Sequence, residues 1–165
     1  MAITKIPAAG FSDAVNFRNI IINGDMSISQ RSTSVASISS GNTIHTCDRW
    51  KTYASSAGTW TQTQEALTSG DAYNDGFSNS LKLDCTTANG SLSSGSYLMV
   101  AQSIEAQNLQ YIKKGTSGAE QLTVSFWVKS TKTGTNIVQF VNLDNTVRIC
   151  AKSYTINSSD TWEKK

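Results

Sequence analysis

Charge, proline and histidine are all scarce in this chain of 165 residues, which carries one proline (Pro7) and one histidine (His45). The scarcity of histidine and of charge each excludes something. Nucleophilic catalysis needs a base beside the nucleophile, and His45 is the sole histidine, with no G-x-S-x-G elbow to accompany it. Glycoside hydrolysis needs two carboxylates flanking one bond. Glu65, Asp71, Asp75, Asp84, Glu105 and Glu120 are spread along the chain, and nothing in the pattern brings two of them together. The expectation is a protein that is not an enzyme and carries no cofactor. Three cysteines, Cys47, Cys85 and Cys150, are odd in number, widely spaced and without C-x-x-C, so neither a disulfide framework nor a zinc site is expected.

Charged residues make up 16% of the chain, against roughly 25% in an average soluble domain. Lys and Arg number 14 against 12 Asp and Glu, a net charge of +2, and the adjacent basic pairs are Lys113-Lys114 and Lys164-Lys165. Binding to nucleic acid requires clustered cations to neutralise phosphates, so no nucleic-acid partner is expected. No apolar run approaches the roughly 18 residues of a membrane span, so no membrane insertion is expected. The first ten residues lack the apolar core of a secretory signal.

What is present is Ser and Thr, about a quarter of the chain, interleaved with short apolar alternations. Ile20-Ile21-Ile22 ends at the turn pair Asn23-Gly24, and Met26, Ile28 and Gln30 then alternate. Residues 31–42 read as a loop or weak strand. Strands are expected over 49–54, 59–65, 81–85, 97–104, 121–129, 137–141 and 146–151, with a turn at Asp144-Asn145 and one or two helical turns over 105–113. The clearest pattern is Gln121–Lys129, with Leu122, Val124, Phe126 and Val128 on one face. Many short strands with turns every 8–15 residues or so predict an all-β, antiparallel sandwich or jelly roll over residues 19–165. Residues 1–18 read either as a disordered terminus or as an extended arm. In the second case Ile3, Ile6, Phe11, Val15 and Phe17 are the apolar points that order against a partner.

Two groups bear on binding. Asp71, Asn74 and Asp75 before Gly76 supply oxygen ligands, but their spacing is not that of a calcium loop and fits a turn that satisfies its own backbone. No metal is expected there. A flat ring can pack on the apolar face of a sugar. Trp50, Trp127 and Trp162 stand in strand contexts and read as core, which leaves Trp60 and Tyr73 as candidate carbohydrate contacts.

Five segments in order resemble a domain recurrent in tail-fibre and other appendage proteins of tailed bacteriophages, especially those of marine bacteria and cyanobacteria. They are Arg18–Met26 (RNIIINGDM) followed by Ser27–Arg31, Cys47–Trp50 (CDRW), Ala101–Glu105 (AQSIE), Leu122–Ser130 (LTVSFWVKS) and Asp160–Glu163 (DTWE). The resemblance implies a galactose-binding-like jelly roll, grouped with carbohydrate-binding modules, preceded by a virion-attachment arm at 1–18. It implies a virion location and partners among tail, neck or capsid proteins, with host attachment as the role. Trimers are the commonest state of such fibres, and a host-surface glycan is a possible ligand of the family. A glycan-binding recognition module and a capsid decoration protein are the alternative readings on the same fold. Members continue past Trp-Glu into further strands, so the chain is expected to lack the last strands of its sandwich. Asn23, Gly24, Asp48, Arg49, Trp50 and Trp127 read as a fold signature: Asn23-Gly24 for positive φ in a hairpin turn, Asp48 with Arg49 as a charge-assisted pair, and Trp50 and Trp127 for packing.

Overall fold

The computed structural model describes residues 19–143 and 146–165. The arm residues Ile3, Ile6, Phe11, Val15 and Phe17, and the turn at Asp144-Asn145, lie outside the described residues. The chain is mostly antiparallel β-strand with little helix. It divides into two compact units, the first holding the described residues up to 65 with Asn79–Leu122, the second Ala66–Ser78 with Thr123–Lys165.

In the first unit the strands are β1 (Ser34–Thr43), β2 (Trp50–Ala66), β3 (Asn79–Thr87) and β4 (Tyr97–Gln102), followed by a 3-10 helix over Ala106–Ile112. They form a four-stranded sheet in which β2 pairs with all three others. Residues 31–42, expected as a loop or weak strand, are largely β1. Their Ser-rich outward side needs no apolar residues, because only Val35 and Ile38 turn inward. Conversely, Ile20–Ile22 and Met26–Gln30, expected as strands, form a turn and irregular chain. The N–H groups of Ile21, Ile22 and Ile28 bond to side chains instead of a ladder.

The strands expected over 49–54 and 59–65 are the two arms of β2. Ten residues of straight strand reach about 33 Å, yet the side chains of Thr52 and Gln62 are hydrogen-bonded to each other. The strand must therefore bend sharply between them. Ser56 (φ 48°) and Gly58 (φ 95°) make the bend, and the β1 register slips there, from Ile38↔Trp60 to Ser40↔Ser55. A Cβ at Gly58 would sit 2.5 Å from the Thr87 carbonyl oxygen, so both the conformation and the space demand glycine.

The bend folds a polar chain into the centre. Thr46, Thr52, Gln62 and Cys47 are the largest fully buried side chains among the described residues. Thr52 donates to Gln62 Oε1, Gln62 Nε2 donates to Thr46 Oγ1 at 2.8 Å, and the Thr46 hydroxyl points on to Cys47 Sγ at 3.8 Å. Burial pushes the Cys47 thiol pKa up. Buried polar groups of this kind stabilise only when each has a partner.

The second unit contains a helical turn at Asp71–Asn74 and the strands β5 (Trp127–Val128), β6 (Gly134–Asn142), β7 (Arg148–Ile156) and β8 (Glu163–Lys164). β6 and β7 form one antiparallel ribbon, and β5 with β8 another. The strand expected over 121–129 shrinks to Trp127–Val128, and Leu122 and Val124 stand exposed rather than on a buried face. Alternation assigns faces, but a strand also needs a neighbour to bond, and among the described residues only 126–128 find one. Phe126, Trp127 and Val128 therefore form a short pairing in place of the nine-residue strand expected. Phe126 meets Tyr154 edge-on, centroids 5.1 Å apart, and Ile156 and Ala72 are buried.

Candidate functional site

The first unit is clamped at one end by Asn23. A turn runs from Asn23 to Met26, whose N–H donates to the Asn23 carbonyl at 3.2 Å. The Asn23 amide donates to the carbonyls of Ile28 and Asp48, both at 2.9 Å, and its Oδ1 accepts the Ile28 N–H at 2.9 Å. The Trp50 indole N–H donates to the Asn23 carbonyl at 2.9 Å. Gln102 holds the other flank, accepting the Ile22 N–H at 2.8 Å and donating to its carbonyl at 2.7 Å. This is the pairing a neighbouring strand would offer, made by one side chain.

The clamp corrects two expectations about the signature residues. Asn23 has positive φ (55°), but the second such residue is Met26 (57°), not Gly24. A Cβ at Gly24 would come within 3.2 Å of Ile21 Cγ2, a tight contact that Ile21 would have to relieve. Asp48 and Arg49 do not pair with each other. Asp48 Oδ1 takes the Gln30 N–H at 3.4 Å, while Arg49 Nη2 donates to Glu105 Oε1 at 2.5 Å and to the Ser103 carbonyl at 3.3 Å. Arg49 has φ 74°, which turns its side chain away from its neighbour. The guanidinium holds the Glu105 carboxyl below its ordinary range.

Beside the clamp lies an open cleft of about 230 Å³ lined by Ile44, Arg49, Lys51, Ser103 and Glu105. Lys51 pairs with Ala101 across the β2–β4 ladder. Arg49 sits in the turn just before β2, and Ser103 and Glu105 follow the end of β4. The Arg49–Glu105 bond draws the turn before β2 against the segment after β4, beside Lys51.

Trp127 belongs to the second unit, where its indole N–H donates to Asp75 Oδ2 at 3.2 Å. Lys164 reaches the same oxygen at 3.0 Å and, with Trp127, holds the Asp75 carboxyl below its ordinary range. That carboxylate is therefore engaged by a cation and an indole. Glu163 accepts the N–H groups of Asn157 and Ser158, both at 2.8 Å, the Asn157 amide at 2.9 Å and Lys165 Nζ at 2.5 Å. The Lys165 bond first, then the Ser158 N–H, lowers its pKa to about 2.

Of the candidate carbohydrate contacts, Trp60 is half-buried in the first unit, with its N–H bonded to the Ala57 carbonyl at 3.0 Å. Tyr73 stands on the helical turn of the second and is 45% exposed. The two rings share no unit. His45 is half-buried, and desolvation lowers its pKa. Among the described residues there is no group of three or more His, Cys, Asp or Glu positioned to hold a metal.

No known protein family, curated protein or solved structure matches this chain. Its site is therefore defined by its own residues. Sequence reasoning missed Gln62, Gln102, Lys51 and the partner of Arg49. Gln102 and Glu105 lay within the Ala101–Glu105 segment, which carried a signal, whereas Lys51 carried none.

Proposed function

We propose that the chain is a structural protein of a tailed-bacteriophage particle, a tail-fibre or other appendage chain held through residues 1–18 and taking part in adsorption to the host. The finer fold we propose is a galactose-binding-like jelly roll, assembled as a trimer. The supporting observation is how the five resembling segments are used. Asn23, Asp48, Trp50 and Gln102, from the first three, meet in one clamp. Leu122–Ser130 and Asp160–Glu163 meet in the β5–β8 pairing, extended by the Asp160 N–H to the Ser130 carbonyl at 2.8 Å. Segments far apart in sequence with a joint structural task are what a fold signature requires. Deleting residues 1–17 is expected to abolish incorporation into particles while the sheet of the first unit still folds; normal incorporation of the shortened chain overturns the reading.

Direct contact with a glycan is the second reading, favoured by the exposed ring of Tyr73. A glycan array that stays blank for the full chain removes it without touching the first.

A further inference from the structure

The cleft lined by Arg49, Lys51, Ser103 and Glu105 has features that the fold itself does not use, and we propose that it is a binding site for a hydroxylated carboxylic acid of monosaccharide size. Arg49 is held in left-handed backbone (φ 74°), a strained conformation for a residue other than glycine and one that collects at ligand sites. Both of its hydrogen bonds use Nη2, and its buried Nε–H has no acceptor. A guanidinium carries five N–H groups in a fork that matches a carboxylate, and Glu105 engages only one arm of that fork. Lys51 lines the same cleft, and its ammonium has no ion pair or hydrogen bond among the described residues. Two cations against one carboxylate leave the cleft with an excess positive charge in a chain otherwise close to neutral.

The remaining groups select more than an anion. Glu105 is kept ionised by Arg49 and can only accept, and the Ser103 carbonyl likewise only accepts. Both therefore ask for hydroxyl donors on the ligand. Ile44 supplies an apolar contact for a carbon skeleton. A carboxylate at Lys51 and the free side of the Arg49 fork, with hydroxyls toward Glu105 and Ser103, satisfies each group by its own chemistry. The volume of about 230 Å³ accommodates one sugar ring rather than a chain of them. The inference concerns the first unit alone and holds whether or not the chain belongs to a virion.

The test is titration of the full chain with glucuronate, and separately with glucose, followed by amide chemical shifts. Glucuronate is expected to saturate with a millimolar Kd and to shift Arg49, Lys51 and Ser103, while glucose binds at least tenfold more weakly. Lys51→Gln should weaken glucuronate fivefold or more, and Lys82→Gln, at the exposed pair with Glu65, should leave it unchanged. Should Lys51→Gln unfold the sheet, the wild-type shifts still decide. Equal binding of the two sugars, absence of glucuronate binding, shifts located elsewhere, or equal losses in both lysine variants would each overturn the proposal.

Discussion

The two units of this chain hold their strands by different means. In the first, the buried centre is polar: Thr46, Thr52 and Gln62 are fully buried and bonded to one another, and side chains of Asn23 and Gln102 replace missing ladder bonds. In the second, Phe126 packs on Tyr154 of the β6–β7 ribbon, while Lys129 over Trp162 at 5.5 Å and Lys164 over Trp127 at 5.5 Å lie at the β5–β8 pairing. The first unit gains specificity from hydrogen bonds that fit one geometry only. The second relies on contacts at least partly open to water, where each is weaker.

The sharpest way to break this contrast is Gln62→Ala. It removes the acceptor of the Thr52 hydroxyl and the donor to Thr46, and leaves a cavity. Unsatisfied buried groups cost about 1–3 kcal/mol each, and truncating a buried side chain of this size adds to that. A loss of about 3–4 kcal/mol is expected in denaturant unfolding, with amide exchange accelerated in β1, β2 and β4. A loss under about 1 kcal/mol would mean that the polar centre is not what holds the sheet.

Much of the strand content was legible in the sequence, and the reasons for the failures are specific. The β6–β7 ribbon, β4 and the arms of β2 followed from alternation and turn residues, since each has a neighbour near in sequence or a strong pattern. The joining of the two β2 arms was hidden because it depends on Thr52 meeting Gln62 through a bend. Gln121–Lys129 had the best alternation and the least pairing, since pattern describes faces and says nothing of a partner. In the cleft, Arg49 was visible as a signature residue, but Lys51 carried no signal and Glu105 arrives from 56 residues away, after β4 pairs with β2.

A smaller effect in the second unit depends on pH. The pKa of Glu163 falls from 4.5 to about 2 in the folded chain. A depressed carboxylate contributes stability that is complete above pH 4.5 or so and is lost as pH falls toward 2. Acidification across that window is therefore expected to release the Asn157-Ser158 turn and loosen the β5–β8 pairing, read from exchange of the Asn157 and Ser158 amides. Glu163→Gln keeps an acceptor for those amides but cannot titrate, so its acid limb should be flatter than that of the parent chain. An unchanged limb would assign the acid sensitivity to other carboxylates.

The smallest effect belongs to the outer face of the β6–β7 ribbon. Register puts Val141 opposite Ile149, and period two puts Ile137 on the same side. These side chains are 43%, 61% and 67% exposed, whereas Tyr154 and Ile156 on the other side are half-buried and buried. An apolar side chain already in water has little transfer energy left to lose. Ile149→Thr, which keeps the β-branch, is accordingly expected to change unfolding stability by no more than about 0.5 kcal/mol. The same substitution costing more than 1 kcal/mol or so would show that this face is covered when the protein is in solution. The contrast drawn above would then be one between a unit that closes its core alone and one that needs a neighbour.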